Sequence, residues 1–229
     1  MKKYFFVSLI GLVFLFPSLE AQECVSYFPM QKGKVLKYQY YDAKHKPSST
    51  MYYNVKDVEQ TNEGEKIILE QWFETPEGDV VDTFLLNFYC KGGEFYIDMK
   101  SSLFGVLSKY EGMDMEVSSH DLALPAKMNV GDVLPDGEVT VVIKNNGIKM
   151  VTITSAVHNR KVEAKEKVTT PAGTFDCIKV TYDTDGKVGF VKTHAKGAVW
   201  YAKKIGTVKS ESYNKKGKLE GSTELVEIR

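Results

Sequence analysis

The chain has 229 residues, of which 43% are hydrophobic, 12% aromatic and 26% charged. This is globular composition, without the low hydrophobicity of a disordered chain or the glycine period of collagen. Thirty basic residues balance 30 acidic ones, so there is no electrostatic footprint for nucleic acid and no basic patch to hold an anionic membrane.

The first stretch reads as a leader. Lys2 and Lys3 precede a short apolar run, Tyr4 to Phe16, and Pro17-Ser18-Leu19-Glu20-Ala21 follows. The pattern predicts a secretory signal peptide over residues 1–21, cut after Ala21. The run is too short to span a bilayer. Removing Lys2, Lys3 and Glu20 with it leaves residues 22–229, a single exported domain with a net charge near −1, destined for the periplasm or beyond. Three cysteines remain, Cys24, Cys90 and Cys177. In an oxidising compartment an odd number allows at most one internal disulfide. Cys177 sits within a strand pattern and reads as a buried small hydrophobe, so Cys24 with Cys90 is the preferred pair. The residues before Cys24, Ala21-Gln22-Glu23, are a poor match to a lipoprotein cleavage box, which wants a small residue directly before the cysteine.

Strand patterns then fill the chain. Val35 to Tyr41 alternates, with Leu36, Tyr38 and Tyr40 on one face. Thr50 to Val58, Lys66 to Thr75, Val80 to Cys90 and Glu94 to Met99 follow. Glycine turns at Asn62-Glu63-Gly64, Pro76-Glu77-Gly78 and Lys91-Gly92-Gly93 separate the last four, so the five read as an antiparallel meander. The period changes at Ser101 to Tyr110, where Leu103, Val106, Leu107 and Tyr110 fall at helical spacing. This predicts one short helix near 101–111, weakened by Gly105. Met113 to Leu124 reads as extended and Pro125 to Gly137 as a loop.

Strands resume at Val139 to Lys144. Asn145-Asn146-Gly147 is a strong hairpin signal, since Asn-Gly accepts the positive φ pair of a tight turn. Ile148 to Val157 is its partner. Lys161 to Thr169 and Thr174 to Tyr182 form the next hairpin around Thr170-Pro171-Ala172-Gly173. A turn at Asp185-Gly186 leads into Val188 to Thr193, and Ala198 to Lys203, Ile205 to Tyr213 and Leu219 to Ile228 close the chain. The fold class is therefore all-β and mainly antiparallel. Apolar residues on both faces of several strands indicate a strongly curved sheet or half-barrel.

No named chemistry emerges. The four histidines, His45, His120, His158 and His194, lack a second ligand at metal-site spacing. His45 in a loop and His158 in a turn read as solvated surface. There is no nucleophile elbow, zinc-protease helix or phosphate-binding glycine loop. Asp183-Thr184-Asp185-Gly186 opens like a calcium loop but has His194 where the closing glutamate belongs. Asp114 and Glu116 share a strand face and read as solvated. An enzyme would need polar groups that only the fold brings together, around His120 and Asp121 for instance. No catalytic residue, cofactor or metal is expected. The aromatic strands and the lone helix point instead to an apolar cavity, with Trp72, Phe84, Leu103, Leu107 and Trp200 as candidate lining residues.

Four blocks resemble a known family: Thr170 to Tyr182 (T-P-A-G-T-F-D-C-I-K-V-T-Y), Val199 to Tyr213 (V-W-Y-A-K-K-I-G-T-V-K-S-E-S-Y), Met128 to Gly137 (M-N-V-G-D-V-L-P-D-G) and the opening Cys24 to Gly33. Together they are similar to an exported bacterial family of TapB-like domains, frequent in Bacteroides-type organisms, over most of the mature chain. The resemblance implies a half-barrel like that of lipoprotein-carrier proteins, with a helix on the concave side, and brings no catalytic residue. Two functions follow as expectations. One is non-catalytic binding of a lipid or other apolar or amphipathic molecule in the curved sheet. The other is a cell-envelope interaction module that docks a protein or glycan through an exposed edge or aromatic patch.

Overall fold

The computed structural model describes residues 26–229. The leader over 1–21 and Cys24 lie outside the described residues. The alternating segments assemble into one 13-stranded antiparallel sheet. A first meander contains β1 (Val35–Asp42), β2 (Pro47–Thr61), β3 (Gly64–Glu74), β4 (Val80–Lys91) and β5 (Glu94–Ile97). A helical segment, 101–110, then leads to β6 (Asp114–His120) and β7 (Leu122–Leu124). The second meander is β8 (Gly137–Asn145), β9 (Ile148–Thr170), β10 (Gly173–Val188), β11 (Val191–Ala202), β12 (Gly206–Asn214) and β13 (Leu219–Ile228). β13 pairs with β1 and joins the two halves.

Closure of this sheet depends on one residue. β6 pairs with β8 at one edge and β7 pairs with β5 at the other. Only Asp121 separates β6 from β7 in the chain. The backbone therefore passes directly from one edge strand to the other and nearly closes the sheet into a barrel, which removes most of the open-edge liability. Asp121 Oδ1 accepts the Met99 N–H at 3.2 Å and fixes the joint. Its carboxyl is pushed up, chiefly by burial.

The all-β, strongly curved fold with one short helix is as the sequence predicts. The hairpin at Asn146-Gly147 has positive φ at both residues, 49° and 78°. Three strands in the second half are longer than expected. Asp185-Gly186 is not a turn but mid-strand, opposite His194 and Thr193. A Cβ on Gly186 would lie 2.5 Å from Thr193 Oγ1, so the glycine serves close cross-strand packing, and the reversal comes at Gly189 (φ 60°). His158 is likewise not in a turn, because β9 continues through it.

Three apolar clusters form among the described residues, the smallest around Cys177, Ala198, Trp200, Ala202 and Val208. The largest fills the inside of the sheet with residues such as Leu36, Ile67, Leu69, Val162, Val180 and Leu225. Tyr27 and Phe28 of the lead-in enter it, and Phe28 packs edge-on against Tyr53 and Phe88, with ring centroids 5.7 and 5.2 Å away. The second lies beneath the helical segment, where Leu103 and Leu107 meet Met99, Val139, Val141, Ile143 and Ile153. Among the described residues no helix is long and apolar enough to cross a membrane.

Candidate binding site inside the sheet

Alternation sends about every second side chain of β1–β4 inward, with register shifts such as the one between Val55 and Asp57. At one place these inner side chains leave space. Phe73 of β3, Phe84, Leu86 and Phe88 of β4 and Ile97 of β5 line a chamber of about 430 Å³. The helical segment borders it through Ser101 and Gly105, and Gln71 and Asp98 bring polar groups to its wall. A methyl on Gly105 would stand 3.4 Å from Phe84 Cζ, so the glycine that weakens the helix also lets it lie close to this ring.

A second chamber of about 330 Å³ adjoins the first, and Tyr53 and Thr207 line both. Its chemistry differs. Tyr38, Tyr40, Tyr53, Tyr182 and Tyr201 surround it, with Thr184, Ser210 and Thr223. Tyr38 donates to Thr207 O at 2.9 Å and Tyr40 to Met51 Sδ at 3.5 Å. Burial pushes Tyr201 up to about 12. Tyr38, Tyr40, Tyr53 and Tyr182 are raised for the same main reason. Desolvation favours the neutral phenol.

Arg160 also lines this chamber. It is 2% exposed, and a β-bulge puts it there. On β10 only Tyr182 lies between Thr181 and Asp183, while their partners on β9, Lys161 and His158, enclose both Asn159 and Arg160. The extra residue resets the alternation, so Val157 and Arg160 both line the chamber while His158 bonds Asp185 at the surface. Asn159 takes the positive φ of 53° that the bulge needs, a conformation asparagine tolerates better than most residues, and its Nδ2 donates to Asp183 Oδ2 at 2.8 Å. Arg160 Nη1 donates to Ala123 O at 3.0 Å and to Pro135 O, which ties β7 and the following loop to β9. Among the described residues no carboxylate forms an ion pair with this guanidinium. Burial lowers its proton affinity, against the nearby Tyr201 and Asp136.

The five candidate lining residues from sequence separate in space. Phe84 lines the apolar chamber. Leu103 and Leu107 are buried in the second core. Trp72 lies on the outer face, stacked on Tyr52 at 4.8 Å with its Nε1 donating to Glu74. Trp200 is also on the outer face, between the ammonium groups of Lys179 and Lys209 and donating to Glu166 Oε1 at 2.6 Å. Arg160 and the tyrosine ring were not legible as a site. The alternation of Tyr38 and Tyr40 on an apolar face was the only signal for it.

Elsewhere the buried hydroxyls of Thr152 and Thr170 lack a hydrogen-bond partner among the described residues, while several outer polar groups find one. His158 Nε2 and His194 Nδ1 each sit 2.8 Å from Asp185 and hold its carboxyl below its usual range. No group of three His, Cys, Asp or Glu among the described residues could hold a metal. His120 is exposed on β6, and Glu116 pairs with Lys144. Cys177 is buried and free, with its thiol pushed up to about 11 by burial. Cys90 is disulfide-bonded. A larger groove of about 840 Å³ lies outside, between Phe175 and the rim lysines Lys127, Lys165, Lys167 and Lys203. It is somewhat more open than the two inner chambers, which lie within the curve of the sheet.

The family profile described as DUF3108-like matches residues 31–225, and the chain belongs to that family. The TapB-like name is not the one the family carries, while the expected kinship with exported Bacteroides-type proteins holds. A Bacteroides fragilis structure described as an exported protein with a YmcC-like fold is 26% identical, with a TM-score of 0.71 over 90% of this chain and 100% of its own. A Parabacteroides distasonis structure described as a lipoprotein is 29% identical, with a TM-score of 0.73 over 91% and 100%. No curated protein matches. With such relatives the chain stands among exported proteins.

Proposed function

We propose that this member of the DUF3108-like family is a non-catalytic binding protein that takes an apolar or amphipathic molecule inside its curved sheet. The observation that carries this reading is the apolar chamber of about 430 Å³ under the helical segment, walled by Phe73, Phe84, Leu86, Phe88 and Ile97. A void of that size between aromatic rings forfeits packing unless something fills it, and its volume lies within the about 300–1,000 Å³ of small-molecule sites. Among the described residues no constellation of nucleophile, base and oriented partner lines either chamber, which supports binding over catalysis.

The test is native mass spectrometry of mature protein prepared without detergent, before and after solvent extraction, followed by uptake of a fluorescent fatty acid. Excess mass lost on extraction, and uptake weakened at least tenfold by Phe84→Asp in a folded variant, are expected. A bare mass together with no uptake by extracted protein would sink the reading. One observation favours the second reading, an envelope interaction module. The β10–β11 tip exposes Val188, Phe190 and Val191, and Ile148 and Met150 of β9 are exposed too. Exposed apolar clusters of this kind mark contact surfaces. If the mass is bare, co-purification of an envelope partner that Phe190→Ser abolishes would favour it.

A further inference from the structure

We propose that the molecule held inside the sheet carries an anionic head group, a carboxylate or phosphate monoester on a single chain, seated at Arg160 while its tail occupies the apolar chamber. This rests on the binding reading above and adds the chemistry of the ligand. The two chambers share Tyr53 and Thr207, so one elongated molecule can reach both. They differ in polarity: Phe73, Phe84, Leu86, Phe88 and Ile97 dominate one, with Gln71 and Asp98 as polar neighbours, while phenols, hydroxyls and a guanidinium stand in the other.

Arg160 is the reason to choose an anion. A guanidinium that is 2% exposed is costly to bury without a counter-charge. Its Nη1 has two backbone carbonyls, which satisfy protons but do not neutralise charge. Asp136 acts on it through space without forming an ion pair. The planar fork suits a carboxylate or phosphate. Tyr38 and Tyr40 already donate within the protein, while the neutral phenols of Tyr53, Tyr182 and Tyr201, which line the same chamber, can donate hydrogen bonds to the anion. A cationic head is excluded by repulsion, and an alcohol head would leave the charge uncompensated.

The experiment compares dodecanoate, dodecyl phosphate and dodecanol on extracted wild-type protein, each by displacement of the fluorescent fatty acid below micelle formation. Both anions should bind about tenfold to a hundredfold more tightly than dodecanol, the range of one charge-assisted hydrogen bond. The ratio of the two anions distinguishes a carboxylate source from a phosphate one. The preference should survive raised salt, because a pair at the buried Arg160 is screened little, whereas anion binding at the rim lysines of the outer groove would fade. Arg160→Gln should erase the preference and Arg160→Lys retain part of it. Dodecanol binding within threefold of dodecanoate, or a preference lost in salt, overturns the inference while leaving the ligand reading intact. This comparison needs no variant to fold. Failure of all three probes to bind overturns the ligand reading, and the inference with it.

Discussion

Raising the pH tests whether the tyrosine chamber is dry. Burial moves Tyr201 from 10.0 to about 12, and a rise of that size corresponds to roughly 2.7 kcal/mol. Tyr38 and Tyr53 move in the same direction. The folded protein holds these protons more tightly than the unfolded chain does. The stability they contribute is therefore fully present below pH 10 and is lost as the pH rises toward 12 and beyond. Even the one group is a sizeable part of the about 5–15 kcal/mol that holds a whole domain together, and Tyr38 and Tyr53 add to it in the same sense. Unfolding should then precede ionisation of the inner phenols. In a titration that follows tyrosinate absorbance and far-UV circular dichroism together, the least buried tyrosines should ionise first. A second, cooperative step should coincide with loss of the β signal. A single smooth ionisation near pH 10 with the fold retained would mean that water reaches the inner phenols, and would refute the enclosed chamber.

Two further expectations follow from close contacts and sulfur chemistry. Gly197 pairs directly with Tyr182, and a Cβ there would lie 2.3 Å from Tyr182 Cζ. Gly197→Ala should cost about 1–3 kcal/mol by overpacking, and an unchanged urea midpoint would show that the ring turns aside freely. Cys90 is disulfide-bonded and Cys177 is free, so non-reducing peptide mapping should recover Cys24 joined to Cys90, and reduction should cost about 2–5 kcal/mol. A thioether-linked lipid on Cys24 would exclude that bond, because the one sulfur cannot serve both.

The sheet was legible because its signals are local. The positive φ pair at Asn146-Gly147 is encoded in two adjacent residues, and the helical period of Leu103, Val106, Leu107 and Tyr110 survives as contacts with the second core. Errors came where a local signal was satisfied non-locally. Asp185-Gly186 carries turn chemistry, yet His158 and His194 from the two neighbouring strands grip the carboxylate, and the glycine makes room for Thr193. Closure through Asp121 leaves no mark in the sequence at all, since strand order is a property of the whole sheet.

The site was less legible for a different reason. Hydrophobic alternation assigns a charged residue to solvent, and Arg160 would follow that rule if β9 were regular and began its inner face elsewhere. The bulge at Asn159 inverts the expectation: it ends one inward series at Val157 and begins another at Arg160. The predicted break between Val157 and Lys161 detected the irregularity but not its consequence. For the aromatics, composition could not separate inner from outer. Trp72 and Trp200 have the larger rings, yet each carries an N–H that finds a surface carboxylate, Glu74 and Glu166. Phe84 has no polar handle and lines the chamber. Where a ring carries a donor, its hydrogen bond decides its face together with its size. That division leaves the inside of the sheet with unpolarised rings at one end and the buried charge of Arg160 at the other, the asymmetry an amphipathic ligand would match.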